Sequence, residues 1–147
     1  MAQFRSFEEI HAWQEGRILI REIRAICNRP KVKRDFAFID QITRAARSIC
    51  ANIAEGCDAM TPPEFCNYLG IAKRSTAEVR SHLYDALDEE YLSQDEFTAM
   101  QDKCKKIQAM IAKLIHHLQS LDPDLKRTYS NALRVNESTN KRINVTP

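Results

Sequence analysis

From Phe97 to Leu121, apolar residues recur in alternating steps of three and four: Phe97, Met100, Cys104, Ile107, Ile111, Leu114, Leu118 and Leu121. Only a helix brings positions so spaced onto one face, and a stripe this narrow matches the seam of a coiled coil. Such a helix gains its stability by laying that stripe against other helices. The rest of the chain therefore has to supply partners of similar length.

Three other segments carry a helical period. Trp13, Gly16, Ile20, Ile23 and Cys27 form the stripe of the first, which stops before Pro30. Ile39, Ile42, Ala46, Ile49 and Ile53 form that of the second. Phe65, Leu69, Ala72, Thr76, Val79, Leu83 and Ala86 form that of the third. Start signals agree with the periods. Ser6-Phe7-Glu8-Glu9, Thr61-Pro62-Pro63-Glu64 and Ser93-Gln94-Asp95-Glu96 read as capping boxes before the first, third and fourth helices, and Asp35 can cap the second. Gly56 is the expected left-handed stop of the second helix. The connections, about 28–34, 57–61 and 89–93, are short, and short connections make successive helices antiparallel.

The fold class is therefore all-α, an up-down-up-down antiparallel four-helix bundle over residues 1–121. Trp13, Ile42, Ile49, Phe65, Leu83, Ile107 and Leu114 are expected inside. Residues 122–147 read as a separate polar, flexible C-terminal tail, rich in Asn, Ser and Thr. The tail holds five Lys/Arg against three Asp/Glu, while the body holds seventeen of each, so the overall +2 sits in the tail. Charge alone does not announce a nucleic-acid binder. No apolar run approaches the ~20 residues of a membrane span, and the start "MAQFRSFEEI" lacks a secretory stretch. The expected setting is cytoplasmic, without membrane contact. Five cysteines, an odd number with no CxxC, read as small buried hydrophobes.

The second helix is unusually thin. In "QITRAARSICANIAEG" Ala45, Ala46, Ala51 and Ala54 are small, and Gln41, Ser48, Asn52 and Glu55 form a polar stripe beside the apolar one, with Arg44 next to it. The third helix repeats the pattern with Ser75, Glu78 and His82. Small residues permit close approach, and a polar seam fixes register. Antiparallel packing across the 57–61 loop puts residue 44 near the level of 73–78. Glu78 is thus the expected acceptor for Arg44.

These residues also carry a resemblance. Gln41-Ile42-Thr43-Arg44-Ala45-Ala46, Ser48-Ile49 and Asn52-Ile53-Ala54-Glu55-Gly56, an early aromatic at Trp13, and Phe65, Tyr68-Leu69, Ile71-Ala72, Ser75 and Glu78 resemble, at the same spacing, the four-helix-bundle proteins named after the intervening sequence of bacterial 23S rRNA. The likeness covers roughly residues 4–120. Two positions depart from the pattern: Arg74 stands where a Gly is common, and Cys50 where a Pro is common. The resemblance implies a homopentamer, and a distant kinship with the accessory variability proteins of diversity-generating retroelements, which bind nucleic acid and a reverse transcriptase.

No catalytic constellation emerges. Glu55, Asn52 and Arg44 lack a nucleophile–base pair and a phosphate-cradling loop, so they read as a structural network. His116 and His117 are adjacent, about 100° apart on a helix, and are poorly placed to share an ion. No enzyme activity, cofactor or metal is expected. The basic residues Arg29, Lys31, Lys33 and Arg34 in the first loop, with Lys105 and Lys106 as a weaker group, are the candidate nucleic-acid contacts. No exposed aromatic cluster is expected beside them, so contact should be to phosphates. The function expected is a non-enzymatic homo-oligomeric scaffold with weak, sequence-nonspecific binding of RNA or DNA. The alternative is a protein-interaction module, or an accessory subunit of a nucleic-acid enzyme such as a reverse transcriptase.

Overall fold

The structure, a computed structural model, describes residues 4–121. The tail expected over 122–147 lies outside the described residues. Four helices run α1 (His11–Cys27), α2 (Phe36–Cys57), α3 (Pro62–Asp88) and α4 (Gln94–Leu121), after a single 3-10 turn at Phe7–Glu9. Each packs on its neighbours in sequence, and α4 closes the bundle against α1. The architecture is the antiparallel four-helix bundle that the stripes call for. Leu19, Ile23, Ile49, Ile53, Leu69, Leu83, Ile107 and Ile111 are fully buried at its centre.

The starts differ in how their caps form. At α4 the box is complete: the Glu96 amide donates to Ser93 Oγ at 3.2 Å, and the Ser93 amide donates to Glu96 Oε1 at 3.0 Å. At α3 Thr61 Oγ1 accepts from the Glu64 amide, but Glu64 reaches back to the Met60 amide, one residue beyond the expected partner. Asp35 caps α2 by accepting from the Phe38 amide at 3.1 Å. The first box behaves otherwise. Ser6 makes no side-chain cap, and residues 7–9 form the 3-10 turn, so α1 starts at His11 after an extended Ile10. Phe7 turns its ring onto Trp13, edge to face at 5.0 Å, which the extra turn makes possible.

Three sequence expectations need correction. Gly56 is not a left-handed stop: no glycine among the described residues has positive φ, and α2 runs on to Cys57. Its missing side chain instead lets α3 come close, since a Cβ there would lie 2.8 Å from both Phe65 and Tyr68. Trp13 sits half-buried at the rim against Phe7, while Ala12 and Leu19 take the core side of α1. On α4, Leu114 is half-buried and Leu121 is 51% exposed, whereas Ile115 and Leu118 are buried. A straight helix drifts ~20° per heptad from a strict seven-residue repeat, so along α4 Leu114 and Leu121 rotate away from the core and Ile115 rotates in, while Leu118 keeps its place.

One end of the bundle is locked by polar contacts between two loops. Val32, in the α1–α2 loop, is fully buried and plugs that end. Arg29 from the same loop forks onto both oxygens of Glu96 at the start of α4, and donates to the Tyr91 carbonyl at 3.0 Å. The Tyr91 hydroxyl donates to Asp35 Oδ2 at 2.6 Å, and its ring meets Phe38 edge to face at 5.3 Å. The α3 terminus beside it closes with a Schellman pattern: the Tyr91 amide donates to the Ala86 carbonyl, and the Glu90 amide to that of Leu87. Glu90 takes the left-handed position that this motif requires, at φ 56°.

Candidate nucleic-acid interface

The seam between α2 and α3 is narrower than the sequence suggests. Ser48 and Ser75 join hydroxyls at 2.8 Å, and Asn52 donates from Nδ2 to the Ser48 carbonyl (2.8 Å) and to Ser48 Oγ (3.0 Å). These three form a small structural cluster, with Ser75 itself buried. The other four residues of the expected seam lie outside it. Gln41 and Glu55 are exposed. Arg44 donates to Asp40 one turn earlier on its own helix at 3.0 Å, with 78% of its side chain exposed. Glu78 faces His82 on α3 at 3.5 Å. An Arg44–Glu78 contact is thus absent. Ala45 and Ala46 are buried on the side of α2 that meets its neighbours, so the backbones approach there and the longer polar side chains are turned to solvent.

The thiols offer no nucleophile. Cys27, Cys66 and Cys104 are buried, and Cys50 and Cys57 partly so. Burial pushes all five up from the ordinary thiol value, Cys50 to about 11 and Cys104 to about 12. A thiol that stays protonated at neutral pH is a poor nucleophile or ligand. Among the described residues no cluster of His, Cys, Asp or Glu is placed to hold a metal ion. No helix among them is long and apolar enough to cross a membrane.

The candidate contacts divide. Arg29, partly exposed, is engaged by both oxygens of Glu96 and by the Tyr91 carbonyl. Lys31 lies 3.5 Å from Glu90 as an exposed pair, and Lys106 3.5 Å from a half-buried Glu15. Lys33, Arg34 and Lys105 are exposed, with no ion pair among the described residues.

A second basic group was not foreseen. Arg17, Arg21 and Arg24 follow one another at spacings of four and three on α1, all exposed and without an ion pair among the described residues. Gly16 and Trp13 place this side of α1 against α2, since the Cys50 thiol donates to the Trp13 carbonyl and a Cβ on Gly16 would meet Cys50 Sγ at 2.8 Å. Arg17 and Arg24 sit about 40° outward of Trp13 and Ile20 on the helical period. On α2, Arg47 sits about 60° outward of Cys50 by the same period. The outer crease between α1 and α2 therefore carries Arg17, Arg24 and Arg47, with Arg21 on its outer lip, about 80° from Trp13 on the same period, and with Arg44 and Asp40 paired beside them. The loop residues Lys33 and Arg34 lie at its end. The signal in the sequence is an i, i+4, i+7 repeat of arginines, which no run of adjacent charge announces.

The structure also places an aromatic ring here. Phe36, the first residue of α2, is 77% exposed. No cluster of rings accompanies it among the described residues, so the site offers a single accessible ring. Phe38, two residues on, takes the core site, and residues two apart on a helix point to nearly opposite sides.

The model of a family described as 23S rRNA-intervening sequence protein matches residues 8–113. A solved structure of similar fold is the crystal structure of a protein with unknown function from the S23 ribosomal protein family of Bacteroides thetaiotaomicron VPI-5482. It aligns with a TM-score of 0.65 at 22% identity, over 71% of this chain and 95% of that one, a likeness of fold. No curated protein matches.

Proposed function

The chain belongs to the 23S rRNA-intervening sequence protein family, and from that premise we propose that it is a non-enzymatic, self-associating scaffold that binds RNA or DNA weakly and without sequence preference. The observation that carries this reading is the exposed arginine group of the α1–α2 crease, Arg17, Arg21, Arg24 and Arg47, without an ion pair among the described residues and continued by Lys33 and Arg34. Guanidinium groups spaced along a helix suit a line of phosphates. Lys31, Lys105 and Lys106 are secondary contacts. Arg29 is withdrawn from the set.

Self-association supports the binding. The body of one copy is nearly neutral, so a single copy holds a nucleic acid poorly. Repeating the crease in a ring raises avidity without any new contact. A pentamer is the assembly that the sequence resemblance implies. Exposed Ile18, Met60, Ile71 and Tyr84 offer apolar area for contacts between copies. Tyr84, 56% exposed on the edge of α3 beside Phe97 of α4, lies away from the basic crease and favours a second reading in which that edge receives a protein partner.

Native mass spectrometry and a low-salt anisotropy titration with RNA and DNA test the reading together. The expected result is an oligomer that binds both with similar, modest affinity, and a Arg17→Gln/Arg21→Gln/Arg24→Gln variant of unchanged size that binds several-fold more weakly. A monomer removes the avidity argument. An oligomer that binds neither nucleic acid leaves the protein-interaction reading in its place.

A further inference from the structure

We propose that the α1–α2 crease is a track for single-stranded nucleic acid, with phosphates on Arg17, Arg21 and Arg24 and one base stacked on Phe36. This rests on the nucleic-acid reading above and narrows it to a strand type and a stacking residue.

A lone exposed hydrophobic is ordinary on a protein surface. The company of Phe36 is what gives it meaning. Lys33 and Arg34 immediately precede it, and both are exposed. On the helical period Phe36 falls on the same side of α2 as Arg47, about 20° away, toward α1 and outward of Cys50. Arg24 occupies the facing edge of α1. The ring has no alternative berth in the core, because Phe38 fills that site against Tyr91. The acidic groups nearby are already engaged. Asp35 accepts from the Tyr91 hydroxyl and the Phe38 amide, and Asp40 accepts from Arg44. Cations in a line with an open ring at one end are the two elements by which proteins hold single strands irrespective of sequence.

The strand type follows from the ring. A base can lie on Phe36 only when one of its faces is free, and a duplex hides those faces in its own stack. Arg17 to Arg24 spans ~10 Å of helix, so the track is short, of the order of 4 nucleotides, the low end for single-strand sites. Phosphates and base faces are common to RNA and DNA, so the two are expected to bind alike.

Fluorescence anisotropy on the full chain tests this with labelled oligo(U), oligo(dT) and a duplex of equal length at low salt. Oligo(U) and oligo(dT) should bind equally and the duplex several-fold more weakly. Phe36→Ala should weaken the single strands about tenfold, leaving duplex binding, assembly size and melting temperature unchanged. Phe36→Trp should restore or tighten single-strand binding. The proposal is overturned if Phe36→Ala leaves single-strand affinity unchanged, if it weakens duplex equally, or if it changes assembly size, which would make Phe36 a contact between copies. If the wild-type chain binds no nucleic acid at all, the functional reading beneath it falls as well. If the wild type binds and only the Phe36 variants are silent, the scaffold reading stands and the stacking site alone is lost.

Discussion

Arg29 and Glu96 lie 67 residues apart in the sequence and meet as a two-pronged pair, with Arg29 Nη1 also donating to the Tyr91 carbonyl. The pair ties the α1–α2 loop to the start of α4. A ligand at this loop would have to compete with Glu96 for Arg29. Arginine's planar fork suits this double contact and lysine's point charge does not.

The first prediction concerns pH. The Arg29 guanidinium beside Glu96, helped by the Ser93 amide, holds its carboxyl down at about 2. A carboxylate whose folded value lies below its unfolded value stabilises the protein above the unfolded value, ~4.3 for Glu, and that stability is lost as pH falls toward the folded one. Melting temperature should therefore drop between about pH 4.5 and pH 2 by this contribution. Asp35, lowered by its bonds from Tyr91 and Phe38, contributes in the same direction. Glu96→Gln keeps the capping contact and should flatten the Glu96 part of the profile. Arg29→Ala should lower stability by ~1 kcal/mol, the modest scale of a partly exposed pair. Thermal melts from pH 2.5 to 7 check both; a Glu96→Gln profile parallel to the wild type contradicts the assignment.

Gly56 should not tolerate a methyl group. Its Cβ would meet Phe65 and Tyr68 at 2.8 Å, and overpacking of that kind costs ~1–3 kcal/mol. Gly56→Ala should therefore destabilise, although alanine is the better helix former by ~1 kcal/mol at an open site. Chemical denaturation decides it. A Gly56→Ala protein as stable as wild type would mean that α2 and α3 are not so closely apposed.

The α2–α3 cluster should show coupling. Ser48→Ala and Ser75→Ala each remove one half of a hydrogen bond and should each cost ~1 kcal/mol. The double variant should cost less than the sum, because no unpaired hydroxyl is left behind. By contrast, Arg44→Ala and Glu78→Ala should each fall within ~0.5 kcal/mol of wild type, as exposed positions do. Additive serine effects in a double-mutant cycle would separate the two helices at this level.

Glu90→Gly should stabilise the bundle. Glu90 carries a side chain in the left-handed region that Gly enters freely, and the strain is ~1–2 kcal/mol for an L-residue. The greater freedom of Gly in the unfolded chain offsets part of that. The net gain expected is ~0.5–1 kcal/mol, read as a higher denaturation midpoint with an unchanged slope. A loss would mean that the exposed contact with Lys31 outweighs the backbone strain.

The bundle was legible because each helix declares itself locally. A stripe such as Phe65 to Ala86 with a cap at Thr61 requires no knowledge of its partners. What the sequence concealed depends on three-dimensional apposition. Gly56 looks like a helix end from its identity alone, and only the position of Phe65 reveals it as a packing residue. Ser48 and Ser75 were legible as polar residues on facing stripes, whereas Arg44 and Glu78 each meet a partner one turn away on their own helix, Asp40 and His82. Arg29 seemed a surface cation because Glu96 lies far along the chain. The crease escaped notice because Arg17, Arg21 and Arg24 are neighbours on a helix surface and not in the sequence.

The proposed function stands or falls with phosphate binding at the α1–α2 crease. Its most direct test is the salt dependence of RNA affinity. Each phosphate neutralised on a single strand releases counterions and adds ~0.7 to the log–log slope. The wild-type assembly should lose affinity steeply with added salt, and replacing Arg17, Arg21 and Arg24 together with Gln should flatten the slope by about 2 for each crease in contact, with oligomer size unchanged. An identical slope in wild type and variant would contradict the account.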